Sequence, residues 1–293
     1  MASAPTDNME LFNALKKRPY IAWPTVFLLL ACHTVIFSSW ALVLMDKMPL
    51  WAGCVANSIA MYFLFSPIHD AIHHAMSTND KINQFFVYLI LLPIVPFSDG
   101  QMLRVGHMMH HRFANEPEKD PDHFTMTAPL PALWIWFFWD FNYLIYYLRN
   151  KEMFAKMYVG HPLRDTIMVW TIAFAVGWFY PMEVIFLWLI PSRMMAWSIA
   201  LVFMYLPHYP HDIAHNDQPY QATHIRRGLD WLLTPLMAWQ NYHLVHHLYP
   251  TVPFYRYRRL WNARQAFHES RNPSTVNALA LEPDRLKNQV SSA

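Results

Sequence analysis

Charge is scarce in this chain. Only 14% of its 293 residues are charged, where a soluble globular domain carries about 25%. The shortage argues against a freely soluble protein, and a content of 55% hydrophobic and 16% aromatic residues points to a membrane. Net charge is only +2, so the basic excess of a nucleic-acid-binding protein is missing and no nucleic-acid partner is expected. Cysteine is almost absent. Cys32 and Cys54 both lie in apolar stretches and read as small apolar residues, not as a disulfide or a thiolate metal site. There is no internal repeat, no low-complexity tract, no HExxH and no GxGxxG. No secretory signal peptide is expected, because Lys16, Lys17 and Arg18 precede an apolar stretch too long for an h-region and without a small-residue cleavage site.

Long apolar runs take the place of charge. Residues 21–45, 50–68, 163–180 and 184–206 are each long enough to cross a bilayer as a helix. The fold class expected is an all-α integral membrane protein. It would be one domain over residues 1–293, with four transmembrane helices and a cytosolic helical cap at residues 69–162 and 207–270. The run 85–97, broken by Pro93 and Pro96, is too short to span and reads as a re-entrant or interfacial segment. The aromatic stretch 133–148 reads as a helix lying on the membrane surface. Arg193 falls near the middle of the fourth run, so it either snorkels outward or the span starts later. The tail after Arg271 is polar and reads as loosely ordered. Four spans leave 20 of the 22 basic residues on one side, with Lys47 and Arg193 on the other. The positive-inside rule makes the basic side the cytoplasm, with both termini there; the membrane expected is a bacterial inner membrane.

What the chain has in excess is histidine, and in a pattern. Of 17 histidines, 12 fall in four short segments: His69-Asp-Ala-Ile-His73-His74, His107-Met-Met-His110-His111, His208-Tyr-Pro-His211-Asp-Ile-Ala-His215 and His243-Leu-Val-His246-His247. Spacings of three and four place imidazoles on one face of a helix. A lone histidine is ordinarily a satisfied core or surface residue. So many gathered imidazoles, buried without a metal, would strand ring nitrogens at about 1–3 kcal/mol each. A transition-metal site is the better reading. Nine or more imidazoles suit two metal ions, although imidazole accepts iron, zinc, copper and nickel alike.

Three chemistries compete. A membrane zinc hydrolase usually has three ligands and a carboxylate base of the HExxH kind, which is missing. A divalent-metal transporter would set its ligands along an intramembrane path, whereas these segments gather at one surface. A pair of iron ions at a membrane surface can activate dioxygen and take hydrogen from an unactivated C–H bond of a substrate dissolved in the bilayer.

The pattern HxxxH, HxxHH, HxxHH with four spans resembles the membrane fatty acid desaturase superfamily, over roughly residues 20–270. The resemblance implies a non-haem di-iron oxidoreductase that desaturates or hydroxylates lipids with dioxygen and electrons. Some stretches are more particular. The second box with Asn115-Glu-Pro-Glu-Lys-Asp120-Pro-Asp122-His123-Phe124, the segment Tyr205-Leu-Pro-His208, and the third box running from Trp239 to Tyr257 are similar to bacterial carotenoid β-ring hydroxylases. Acyl-lipid desaturases share the shorter piece Asn241-Tyr-His243-x-x-His246-His247-Leu-x-Pro250. Carotenoid ring hydroxylation is the leading activity implied. Fatty-acyl desaturation, or decarboxylation to a terminal alkene, is the alternative.

Carried over position by position, the resemblance implies His69, His73, His107, His110, His111, His208, His243, His246 and His247 as ligands of two iron ions. His74, His211 and His215 depart from the ring-hydroxylase pattern and are possible extra ligands. Asp70, Asp120, Asp122 and Asn241, close by in sequence, are the expected acceptors for the outer N–H of the ligand imidazoles. Electrons must come from outside. His161-Pro162 lacks the glycines of a cytochrome b5 motif, so a separate ferredoxin or rubredoxin is expected on the basic face.

Overall fold

The computed structural model of the protein describes residues 7–94, 99–127, 130–157 and 161–285. It is mostly helical. The chain runs through α1 (Met9–Lys16), α2 (Trp23–Leu44), α3 (Leu50–Ile72), α4 (Asp80–Ile94) and α5 (Gly100–Phe113). A 3-10 segment, Leu130–Phe138, leads into the helix Trp139–Arg149, followed by Pro162–Gly177 and a long helix, Pro181–His208. Shorter helices include Phe124–Thr127, Lys151–Lys156, Asp230–Leu236, His243–Leu248, Tyr257–Ala263 and Gln265–Ser270. The described residues group into two compact sets. One holds residues 21–94, 99–108, 130–157 and 161–200; the other holds 7–20, 109–127 and 201–285.

The first set carries the apolar helices α2 and α3 and the part of Pro181–His208 up to residue 200. α2, α3 and Pro181–His208, of 22, 23 and 28 residues, are long and apolar enough to cross a membrane. At about 1.5 Å per residue, each exceeds the roughly 30 Å of a hydrocarbon core. Phe27, Leu30 and Phe37 on α2 and Val55 and Ile59 on α3 are exposed, as lipid-facing side chains would be. The run at 163–180, expected as a further span, forms the helix Pro162–Gly177, whose 16 residues make it shorter than the other three. α2 and α3 are joined by a tight turn in which Lys47 N–H donates to Leu42 O at 2.8 Å and Asp46 takes φ 57°.

Prolines shape the long helix. Pro191 has no N–H to give the carbonyl of Leu187, and the turn Ile185–Leu189 before it widens to a π-helix. Asn57 of α3, fully buried, supplies a donor: its Nδ2 lies 2.8 Å from Leu187 O. A second π turn, Ala200–Tyr205, precedes Pro207. Arg193 neither snorkels nor lies beyond the helix. Its guanidinium pairs with Asp140 and also donates to Phe137 O at 2.8 Å. The aromatic stretch 133–148 has a buried face and an exposed one. Trp136, Trp139, Asp140 and Tyr143 are fully buried, whereas Trp134, Phe138 and Phe141 are exposed. α4 is helical through Pro93 to Ile94, and residues 95–98 of the expected re-entrant run lie outside the described residues.

In the second set α1 lies against Tyr257–Ala263. Asn8 caps α1 by accepting from Leu11 N–H at 2.9 Å, and its own N–H donates to Ala263 O at 2.7 Å. At the other end Arg256 donates to Leu15 O and Lys17 O, satisfying carbonyls that a helix terminus leaves open. Phe12 and Leu15 are buried. The all-α expectation has one exception here: Ile225–Arg227 pairs in parallel with Thr275–Asn277. The stretch after Arg271 is accordingly pinned, not loose. Arg226 reaches the carbonyls of Asn277 and Ala280, and Thr275 donates to Asp284 at 2.9 Å. Residues 286–293 lie outside the described residues.

Candidate metal centre

Helix geometry delivers the imidazoles. His69 sits in the last turn of α3 and His73 at its C-terminal cap, one turn apart. α5 carries His107, His110 and His111 at helical spacing. Gly106 permits this helix to lie under the buried Tyr143 ring, since a Cβ there would fall 2.5 Å from Tyr143 Cε1. His208 ends the long helix. The third box follows two residues in the left-handed region, Ala238 (φ 47°) and Trp239 (φ 66°). They turn the chain through Gln240–Tyr242 into the helix His243–Leu248.

In the first set, His69, His73 and His107 form a buried trio. Their ring centroids are 4.8–4.9 Å apart in edge-to-face pairs. Each offers a nitrogen within 4.8 Å of the others. Phe65 stacks on His69 at 6.0 Å.

In the second set, His110, His208, His243 and His247 are all buried and converge in the same way. Nε2 of His243 lies 3.1 Å from Nε2 of His208 and 3.1 Å from Nε2 of His247. Outer partners decide which nitrogen carries the proton. Asn115 Nδ2 donates to Ile213 O and Ala222 O, both at 2.8 Å, so its Oδ1 must face His208 Nδ1, 3.2 Å away. Gln240 Oε1 accepts from His243 Nδ1 at 2.6 Å. Asp120 Oδ1 accepts from His110 Nδ1 at 2.9 Å, with Asp122 Oδ2 at 3.5 Å. With Nδ1 protonated, Nε2 of both His208 and His243 is a lone pair, and the two face each other. Lone pairs repel unless a cation sits between them. Two nitrogens each about 2.1 Å from one metal are roughly 3.0–3.4 Å apart, so the spacing fits a shared ion.

Electrostatics agree. Burial alone would push His110 down, but the carboxylates of Asp120 and Asp122 outweigh it and raise the imidazole to about 9. Such a partner makes an imidazole a stronger ligand. Burial, reinforced by His111 and His243, holds His247 far below the ordinary value, which keeps it neutral and able to ligate. His111 and His246 stand apart from these four, with their Nε2 atoms 2.8 Å from each other, and the Tyr257 hydroxyl meets His246 Nδ1 at 3.0 Å.

Residues 46–276 match the profile of the fatty acid desaturase family. The chain belongs to that family. It is an integral membrane enzyme, an oxygen-dependent oxidoreductase. The desaturase-family chain is 29% identical over 207 residues to a beta-carotene ketolase of Paracoccus sp. (strain N81106 / MBIC 01143), covering 69% of this chain and 76% of that one. It is 22% identical over 230 residues to the zeaxanthin 4-ketolase of Chlamydomonas reinhardtii, covering 74% of this chain but only 46% of that protein. A match to the sn-1 oleoyl-lipid 12-desaturase of Arthrospira platensis spans 100 residues at 26% identity, 29% of this chain and 28% of the relative.

Other expected positions in this desaturase-family enzyme fall out unevenly. Asp120 and Asp122 both approach His110 Nδ1, at 2.9 and 3.5 Å. Asp70 is buried and accepts from the Thr25 hydroxyl at 2.8 Å, tying α2 to the first box. Asn241 donates to Thr234 at 3.0 Å, and the acceptor beside the third box is its neighbour Gln240. Asn115, Gln240 and Tyr257 were not anticipated. Gln240 lies three residues before His243, one helical turn, a spacing that would have found it. The extra histidines stand outside the converging groups. His74, at φ 57°, pairs with Asp80 at 2.5 Å. His211 is buried beside His208 with ring centroids 5.6 Å apart, and burial lowers it to about 3. His215 lies 5.8 Å from the His247 ring.

Proposed function

We propose that this enzyme uses dioxygen and two electrons to oxidise a ring C–H bond of a carotenoid. Its centre would be two iron ions held by His69, His73, His107, His110, His111, His208, His243, His246 and His247. Iron bound there would supply the reductive activation of dioxygen. The overall change is R–H + O2 + 2 e− + 2 H+ → R–OH + H2O. A second round at the same carbon gives a geminal diol, which loses water to leave a ketone. The same chemistry on an acyl chain ends in an alkene when a second hydrogen is lost.

The protein's own residues have defined tasks. Asp120, Asn115 and Gln240 hold imidazole protons on Nδ1 and so aim Nε2 inward. The apolar helices admit a substrate from the bilayer, in keeping with a topology of four spans, a cytoplasmic cap and cytoplasmic termini in a bacterial inner membrane. A separate one-electron donor of the ferredoxin or rubredoxin kind supplies the reducing equivalents.

One observation carries the metal reading: the facing Nε2 lone pairs of His208 and His243. The carotenoid reading is supported by the matches to two ketolases, each covering more than two thirds of this chain. The test is expression in a β-carotene-producing host, with chromatography of pigments and of fatty acyl chains. A new hydroxy- or keto-carotenoid with unchanged acyl chains is expected. New acyl double bonds, with the carotenoids untouched, would replace the carotenoid reading by acyl desaturation.

A further inference from the structure

Oxygen chemistry of this kind consumes electrons that the chain cannot generate, and one surface of the second residue set has the make-up of a port. The helix Tyr257–Ala263 opens with a residue that touches the metal-binding group. Tyr257 is fully buried, and its hydroxyl lies 3.0 Å from His246 Nδ1. The next two residues, Arg258 and Arg259, are exposed, and among the described residues neither is paired with a carboxylate. α1 lies alongside and ends in Lys16 and Lys17, both exposed. Arg256 fastens the two pieces, donating to Leu15 O at 3.1 Å and Lys17 O at 2.9 Å. Between residues 254 and 268 there are four arginines and no acidic residue. An exposed basic patch is therefore separated from a cluster imidazole by one side chain and one hydrogen bond.

We infer that Lys16, Lys17, Arg258 and Arg259 form the docking site for a small acidic iron–sulfur protein, and that Tyr257 couples it to His246. The inference rests on the oxygenase reading above. Two reduced carriers are each oxidised by one electron per turnover, and the two electrons meet the need of one O2. Charge complementarity steers such a carrier onto the patch and raises its association rate. Tyr257 acts as a positioning residue: it fixes the His246 ring and closes the gap between surface and cluster.

The test uses the full-length, detergent-solubilised protein and a small acidic [2Fe–2S] ferredoxin. Affinity is measured at low and high salt for the wild type and for Arg258→Glu/Arg259→Glu. Arg258→Gln/Arg259→Gln serves should the reversal fail to fold, and Lys151→Glu/Lys156→Glu controls for net charge. The expected result is a loss of affinity on the order of tenfold at low salt for the Arg258/Arg259 variants, with the Lys151/Lys156 control binding like wild type. Tyr257→Phe is expected to keep that affinity while slowing anaerobic reduction of the metal centre by ferredoxin. Wild-type affinity in both Arg258/Arg259 variants would overturn the docking site. The docking site also falls if those variants lose only their binding to phosphatidylglycerol vesicles, which would make the patch a lipid-headgroup contact. Unchanged reduction in Tyr257→Phe would overturn the coupling. Carotenoid products from a strain whose ferredoxin ignores the patch would sink this inference alone. Ferredoxin bound at the patch with no carotenoid product would sink only the substrate reading.

Discussion

Arg193 and Asp140 meet as a bidentate pair within the helical set, Nη1 to Oδ1 at 2.9 Å and Nη2 to Oδ2 at 2.8 Å, with the carboxylate almost wholly buried. The pair joins the long helix Pro181–His208 to the helix Trp139–Arg149, 53 positions earlier in the chain. Breaking a buried pair by removing one partner typically costs about 3–5 kcal/mol, because the other charge is left uncompensated. Arg193→Met is therefore expected to lower the thermal unfolding midpoint in detergent sharply. Arg193→Met/Asp140→Leu should recover most of the loss. Single and double variants equally unstable would mean that packing, not charge pairing, sets the effect.

Asn115 should matter as much as a ligand without being one. Asn115→Ala removes the acceptor for His208 Nδ1 and frees that imidazole to change tautomer. Losses of metal affinity at such positions run to about 10–100-fold. A chelator-competition titration would measure the loss. Asn115→Asp keeps an acceptor but sets carboxylate lone pairs against the carbonyls of Ile213 and Ala222, so it should cost stability more than metal affinity.

The histidines of the last two segments separate by role. His243→Ala should lower iron per chain, because its Nε2 faces those of His208 and His247. His211→Ala should leave iron content unchanged, since His211 is buried next to the group but outside it. Metal analysis of the purified variants decides this. Equal loss in both would place His211 among the ligands.

Stability should depend on pH through His268. The ring is stacked on Trp261 at 4.6 Å and its Nδ1 is 3.0 Å from the Tyr220 hydroxyl. Burial, with Arg264 adding to it, lowers this imidazole to about 4 from 6.5. Between those values the unfolded chain binds the proton and the folded one does not, so stability rises with pH across this window. The contribution is fully present above about 6.5 and is lost as pH falls toward 4. Thermal unfolding from pH 4 to 7 should show this slope, and His268→Gln should flatten it.

The sequence made some of this legible and hid the rest for physical reasons. The three boxes could be read because helical periodicity puts their imidazoles on shared faces within a few residues. Asp120 could be read because its loop follows the second box directly. Asn115 appeared only as a turn residue, since its partner His208 is 93 positions away and composition carries no trace of that meeting. Arg193 looked misplaced for the same reason. Its partner Asp140 lies 53 positions earlier, on the buried face of a stretch whose other face is exposed. Helix length near 163–180 was overestimated because hydropathy does not see where a helix ends.

Asn115 also sets a rule for exchanging parts. One amide reaches the carbonyls of Ile213 and Ala222 and the ring of His208, while its own N–H is held by Asp120. The loop after the second box and the segment from 208 to 222 are thus a matched pair, cut to each other like key and ward. A chimera that imports the later segment from a ketolase or an acyl desaturase should import residues 107–122 with it, because the Asn115 amide is oriented by the carbonyls of Ile213 and Ala222 in the segment being exchanged.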